Sequence, residues 1–364
     1  MTYNSSGIPG AYHTRTSYGA DSRREGEGEG ECPSAYSHPH NNARSSLLEP
    51  LRSRPSRNDR EPSGGAGVFP RQTQQLGAYL VGRRLVGRCD SDAQVARLKQ
   101  ANDTVHEARE VLSFGRGNVS LDLDITDGES GRRVTAGRVL TNRLQDSGAS
   151  LSVSHTVAMA ELVKAGLCSE HGDVSVHRHI PKLAAGDQLH KVAAPDEDHG
   201  WAEWRRPGSP LKNAIVMDAW AEGPAIFAED GKYTHPDVPE ENRVSKYAYS
   251  SALGRRALSN VQRAKERLSA VGHHVDQARH YLAESGYMPE EERIWAPEPV
   301  ISPAFAAQVQ QECGSDAAQE AALAVAYQLG SPGGAAEFNA ALLLDLAADL
   351  TKTPQNPLRS DMEP

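Results

Sequence analysis

Cysteine is scarce and poorly spaced for either of its structural uses. The 364 residues hold four, Cys32, Cys89, Cys168 and Cys313. None stands in a C-x-x-C pair, which argues against both a disulfide framework and a zinc knuckle. The expectation is four reduced thiols and a reducing compartment. Aromatic residues make up 5% of the chain and hydrophobic residues 38%, so part of the chain should lie outside any core. Positive charge is also short. Against 48 Asp and Glu there are 39 Lys and Arg, a net charge of −9, which makes a nucleic-acid partner a poor fit because phosphate contacts draw on clustered Lys and Arg. No apolar run approaches about 18 residues, so no transmembrane helix is expected. The most apolar stretch, 342–350, is interrupted by Asp345 and Asp349. The opening MTYNSSGIPG has no basic patch followed by an apolar segment, and Thr2 stands where N-myristoylation requires glycine.

What is present changes along the chain. Residues 1–66 are rich in Ser, Gly, Pro, Asn and Arg and include GEGEGE. Such a stretch cannot bury enough surface to offset its ordering entropy, and it reads as a disordered tail. Ser-rich unfolded leaders without a cleavable signal suit passage through a type III secretion needle. From Phe69, apolar residues near helical spacing (Leu76, Tyr79, Leu80, then Val95, Leu98, Val105, Val111, Leu112) predict two helices broken around 87–92. VSLDLDITDG alternates apolar and acidic residues over 119–126 and predicts a strand turning at Asp127-Gly128. It lacks the ligand positions of an EF-hand. From Gly148 to Pro239 the pattern reads helix, loop, then short strands. Leu258, Val261, Leu268, Val271, Val275, Ala278 and Leu282 predict one long amphipathic helix ending near Gly286, and Ala-rich helices follow to about Leu350. The expected organisation is a tail (1–66), a helical N-terminal domain (67–147), a catalytic domain with C-terminal helices (148–350) and a loose Pro-rich end (351–364), with an α+β fold class.

Three short segments carry chemistry. In AGLCSEHGDV, Cys168 stands at a helix start, where the positive end of the helix dipole favours the thiolate, the nucleophilic form. In DHGWAEW, read as a strand, His199, Trp201 and Glu203 share one face. NAIVMDAW is a second strand-like run ending at Asp218, and RRPGSP supplies the turn between them. Antiparallel pairing can set His199 opposite Asp218. The carboxylate would fix the imidazole, and the imidazole would take the proton of Cys168. The Cys168 N–H is one natural oxyanion donor, with Asn142 or Gln145 as a candidate second. A metal set of Cys168, His171, His177 and His179 is the weaker alternative, because residues 177 and 179 do not share a helix face.

The ordered set Gly166, Cys168, Glu170 and His171, then His199, Trp201 and Glu203, then Asp218 and Trp220, resembles the transglutaminase-like branch of papain-type thiol enzymes. More closely it is similar to the AvrPphE/HopX/XopE family of type III effectors of plant-pathogenic bacteria, over about residues 70–350. The resemblance implies a papain/transglutaminase-like core, with a Cys-bearing helix on a small antiparallel sheet and helical additions. It implies a cysteine protease acting on host plant proteins in immune or hormone signalling, jasmonate-pathway repressors among them. A transglutaminase or deamidase acting on Gln side chains, or a binding effector without catalysis, is the alternative. The segment at about 90–150 would correspond to the family's extra domain for a target or host cofactor. No cofactor or metal is evident beyond a host-derived activator. The expected location is the host cell, cytoplasm or nucleus. Two departures stand out: Thr2 removes the myristoylation start of some relatives, and Ser169 follows the Cys where glycine is expected. Effectors of the YopJ type run His, acid, Cys in chain order, the reverse of this chain.

Overall fold

A computed structural model describes residues 67–289 and 294–351. The tail at 1–66 and all but the first residue of the expected loose end at 351–364 lie outside them. Helices α1 (Arg71–Leu85) and α2 (Asp92–Val111) flank a break at 86–91, where the periodicity places it. Ser91 caps α2 by accepting from the Gln94 N–H, while Gln94 Oε1 accepts from the Ser91 N–H at 2.8 Å, the reciprocal pairing that fixes a helix start.

The expected strand at 119–126 is instead a short helix, α3 (Ser120–Ile125). Its alternating carboxylates do not form a solvated strand face. Asp122 is buried and accepts from the Arg116 guanidinium at 2.8 and 2.9 Å. That ion pair closes only if the chain coils between residues 116 and 122. Helices α4 (Glu129–Asp146) and α5 (Val153–Val163) follow. The two-residue strand β1 (Gly115–Arg116) pairs in parallel with β2 (Ala165–Gly166), and α6 (Cys168–His179) starts directly after β2.

A five-stranded antiparallel sheet stands against α6. Its strands are β3 (Gln188–Ala194), β4 (His199–Arg205), β5 (Ile215–Met217), β6 (Ile226–Phe227) and β7 (Val244–Ser250), in the spatial order β6-β5-β4-β3-β7. The centre strand β4 is buried along almost its whole length. Helix α6 packs on β3 and β4, with α2 and α5 against it. The fold is thus α+β, a small antiparallel sheet among many helices.

The expected long helix divides into α7 (Ser251–Ser269) and α8 (His273–Glu284). The apolar periodicity runs on through the break, but the two halves have different neighbours: α7 lies on α5 and α8 on α4. Helices α9 (Pro303–Glu312), α10 (Ala317–Gln328) and α11 (Ala336–Leu350) complete the chain. One apolar cluster joins Leu76, Leu98 and Leu112 upstream with Leu189, Trp201 and Ile215 of the sheet and Leu343 near the end. Helices α1 and α2 thus share a core with the sheet, while Val134, Ala136 and Leu140 of α4 join a second cluster with α5, α7 and α8. Cys168 and Cys313 are free thiols. Cys89 is disulfide-bonded, against the expectation of four reduced cysteines.

One close approach sets the height of α6 over the sheet. A Cβ on Gly172 would lie 3.2 Å from the Gly200 carbonyl oxygen and would collide with the Lys191 ammonium, which is buried between helix and strand. Gly172→Ala is therefore expected to destabilise the fold by about 1–3 kcal/mol, the usual cost of overpacking a filled core. Urea unfolding measures it, and a variant as stable as the wild type would mean that Lys191 moves aside freely.

Candidate active site

The nucleophile candidate is placed by the β1–β2 pairing. The short parallel ladder ends at Gly166, Leu167 is extended, and Cys168 is the first residue of α6. Glu170 accepts from the Leu167 N–H at 3.0 Å, closing one turn-end donor with a carboxylate that also suits the positive helix end. Cys168 is only partly buried and can meet a large substrate. Its Sγ lies 3.5 Å from the Asp198 carbonyl oxygen. Asp198 has φ of +46°, a left-handed conformation that Asp tolerates better than most residues, and it turns the chain into β4.

His199 follows at the head of β4. The β4–β5 register pairs Ala202 with Met217, so the next position on β5, Asp218, falls level with Trp201 and not with His199. The sequence reading set His199 directly opposite Asp218; the structure reaches the same contact diagonally. His199 Nε2 lies 2.6 Å from Asp218 Oδ2. The Cys168 sulfur is close enough to the same ring to help raise its pKa. The remaining oxygen, Asp218 Oδ1, accepts from the Trp220 and Ala221 N–H groups, both at 3.1 Å. Burial works against a charged His199, but the hydrogen-bonded Asp218 carboxylate, with the nearby Cys168 sulfur, outweighs it and pushes its pKa up to about 10. For Asp218 burial works the other way, and the His199 charge prevails, holding the carboxyl below its ordinary value. The chain thus brings Cys168 beside a hydrogen-bonded His199–Asp218 pair.

Aromatic rings enclose the imidazole. Trp201 stacks beside it at 5.7 Å between centroids, Trp220 leans on it at 5.1 Å and Tyr233 at 4.7 Å. Each ring is tied down. The Trp201 indole N–H donates to Glu203 at 2.9 Å. Glu203, fully buried, is paired with Arg205 and Arg243, so its role is to anchor Trp201. The Tyr233 hydroxyl donates to Glu298 at 2.6 Å, which also pairs with Lys232. The loop after Asp218 is fastened from upstream. Arg109 donates to the carbonyls of Ala219, Ala221 and Gly223, and Arg116 to that of Trp220. Residues 90–150, expected from the resemblance to hold a target or cofactor, thus include two side chains that brace the acid loop.

Sequence reasoning missed several of these contributors. Tyr233, Glu298, Lys191 and Arg109 lie outside the motifs and carry no local pattern; Asp198 opens DHGWAEW, and its place next to His199 is the one available signal. Lys191 Nζ donates to the Ser169 carbonyl at 3.1 Å in the first turn of α6. The weaker alternative, a metal set, is not assembled. His171, His177 and His179 bond separately to the Leu167 carbonyl, the Asp173 carbonyl and the Thr104 hydroxyl. Among the described residues no three His, Cys, Asp or Glu side chains converge as metal ligands. Asn142 and Gln145 are exposed on α4 and bond to no member of the triad. No described helix is long and apolar enough to cross a membrane.

Compared with family models, with curated proteins and with solved structures, the chain matches none. The reading of the site therefore rests on its geometry.

The buried pair makes stability depend on pH in a defined way. The raised pKa of His199 contributes stability that is complete below the ordinary histidine value of 6.5 and is lost as pH climbs through about 10. The lowered pKa of Asp218 contributes stability that is present above 3.8 and lost as pH falls through the folded-state value. Asp218→Asn is expected to cost about 3–5 kcal/mol at neutral pH, as for a broken buried pair. It should also flatten the fall in melting temperature between neutral pH and about 10. A variant that keeps the wild-type slope would show that His199 is not held protonated by Asp218.

Proposed function

We propose that the chain is a thiol acyl-transfer enzyme with a papain/transglutaminase-like core, acting as a cysteine protease. The observation that carries this reading is the row Cys168–His199–Asp218, with the ring nitrogen nearer the acid fixed at 2.6 Å and a partly exposed thiol at a helix start. In this mechanism the thiolate adds to a substrate amide carbonyl. The tetrahedral oxyanion collapses as His199 gives its proton to the departing amine, leaving a thioester on Cys168. Water, deprotonated by His199, then attacks the thioester and releases the acid and the thiol. Asp218 keeps the imidazole in one orientation and stabilises its positive charge through both half-reactions. The aromatic walls exclude water around the ring and strengthen those electrostatic contacts.

The same first half-reaction on a Gln side chain would release ammonia in place of a peptide amine, which is the transglutaminase or deamidase reading. The motif order also supports placing the protein with the AvrPphE/HopX/XopE effectors, delivered by type III secretion into a plant cell to act on immune or hormone-signalling proteins.

Thiol labelling with iodoacetamide tests the central claim. Cys168 should be alkylated well before Cys313, whose pKa is raised by burial. His199→Ala and Asp218→Ala should each slow Cys168 by about tenfold or more, because the thiolate loses its charged partner. Labelling indifferent to both substitutions would sink the triad. With plant proteins as substrate, mass spectrometry should find backbone cuts that Cys168→Ala abolishes. A mass change at Gln without a cut would assign the transfer chemistry instead.

A further inference from the structure

We infer that Asn118 supplies the second donor of the oxyanion hole, with the Cys168 backbone N–H as the first; this rests on the triad reading above. Two independent features bring Asn118 to the site. The first is register. In the parallel β1–β2 pair, Gly115 is level with Ala165 and Arg116 with Gly166, and the Gly117 N–H continues the ladder to the Gly166 carbonyl at 3.1 Å. Two residues past Gly166 is Cys168; two residues past Arg116 is Asn118. The chain on which the nucleophile is mounted and the chain that carries Asn118 thus leave the same short ladder side by side.

The second feature is the indole of Trp220. Its ring leans on His199 at 5.1 Å, and its N–H lies 3.2 Å from Asn118 Oδ1. An indole N–H can only donate, so the amide oxygen must face it, and the usual ambiguity between amide oxygen and nitrogen is removed. The amide NH2 is therefore turned away from Trp220, and among the described residues it has no acceptor. The side chain is neither fully buried nor free. Its backbone is pinned as well, because the Trp295 N–H donates to the Asn118 carbonyl at 2.8 Å. An oriented donor of this kind suits the task, since stabilising a developing oxyanion depends on dipoles already in place. The Cys168 N–H qualifies on the other side because the first N–H of a helix has no intrahelical acceptor. The Trp220 indole N–H is already committed to Asn118 and the Tyr233 hydroxyl to Glu298. Asn142 and Gln145, the sequence-based choices, stand exposed on α4.

The test compares two reactions of the same thiol in the full-length protein. Iodoacetamide is attacked at its CH2: the S–C bond forms as the C–I bond breaks, and iodide leaves with the electron pair, so no oxyanion arises. p-Nitrophenyl acetate is attacked at its carbonyl. The S–C bond forms, the oxygen carries the negative charge in the tetrahedral intermediate, and the C–O bond to the ring then breaks to expel p-nitrophenolate, leaving an acetyl thioester. Both adducts are assigned to Cys168 by mass spectrometry, with Cys168→Ala as background. Asn118→Asp keeps an acceptor for Trp220 but has no N–H; Asn118→Ala adds no charge. In both, acylation is expected to fall about 10²–10³-fold while alkylation stays within about twofold of wild type. Equal losses in the two reactions would make Asn118 a structural prop, and no loss in either would remove it from the site; each result overturns the inference alone. A wild type whose Cys168 is acylated no faster than in urea-unfolded protein would overturn the triad, and Asn118 with it.

Discussion

A carboxylate with 3% of its surface exposed governs the arrangement of this protein. Asp218 sits where an unpaired charge would cost several kcal/mol, and the neighbouring chain is shaped to prevent that. One oxygen takes the imidazole and the other takes two backbone N–H groups, which obliges residues 218–221 to curl around it. That curl turns backbone carbonyls outward, and Arg109 and Arg116 take them up from α2 and β1. A requirement local to one side chain thus fixes the contact between the upstream helices and the sheet.

Glu203 shows the same logic two positions along the strand from Trp201. It too is a buried acid, served by two guanidinium groups and an indole. Its position was legible in H-x-W-x-E, since alternate residues of a strand share a face. Its partner Arg243 was not, because nothing in the local sequence announces a contact forty residues away. The helix start at Cys168 and the two strands were readable for the same reason: their signals are periodic and short-ranged. The stretch at 119–126 misled because alternation over so few residues does not distinguish a strand from a coil drawn in by Arg116. The run from 258 to 282 misled because apolar spacing carries no information about which neighbour each turn will meet. Tyr233, Glu298 and Asn118 reach the site only through folding of distant segments, and a single sequence holds no trace of that.

A strap of chain runs past the site from residue 294 to residue 302. It crosses from the Asn118 backbone, through Trp295, to Glu222, Lys232 and Asp230 by a series of main-chain hydrogen bonds, and delivers Glu298 to Tyr233. The walls of the site are therefore drawn from widely separated described segments, while its three candidate reacting groups come from fifty-one consecutive positions, 168 to 218.

That division bears on when the protein can assemble. Helix α1 packs on α10 and α11, and a Cβ at Gly77 would strike Leu343. The first described helix is thus completed by the last, across almost the whole described chain. Pairings so remote in sequence form late, because the loop must close before any contact rewards it. A nascent chain still attached to its ribosome, with α11 unmade, lacks the surface that α1 needs. Such a chain keeps the α1 face unpacked until α11 has been made.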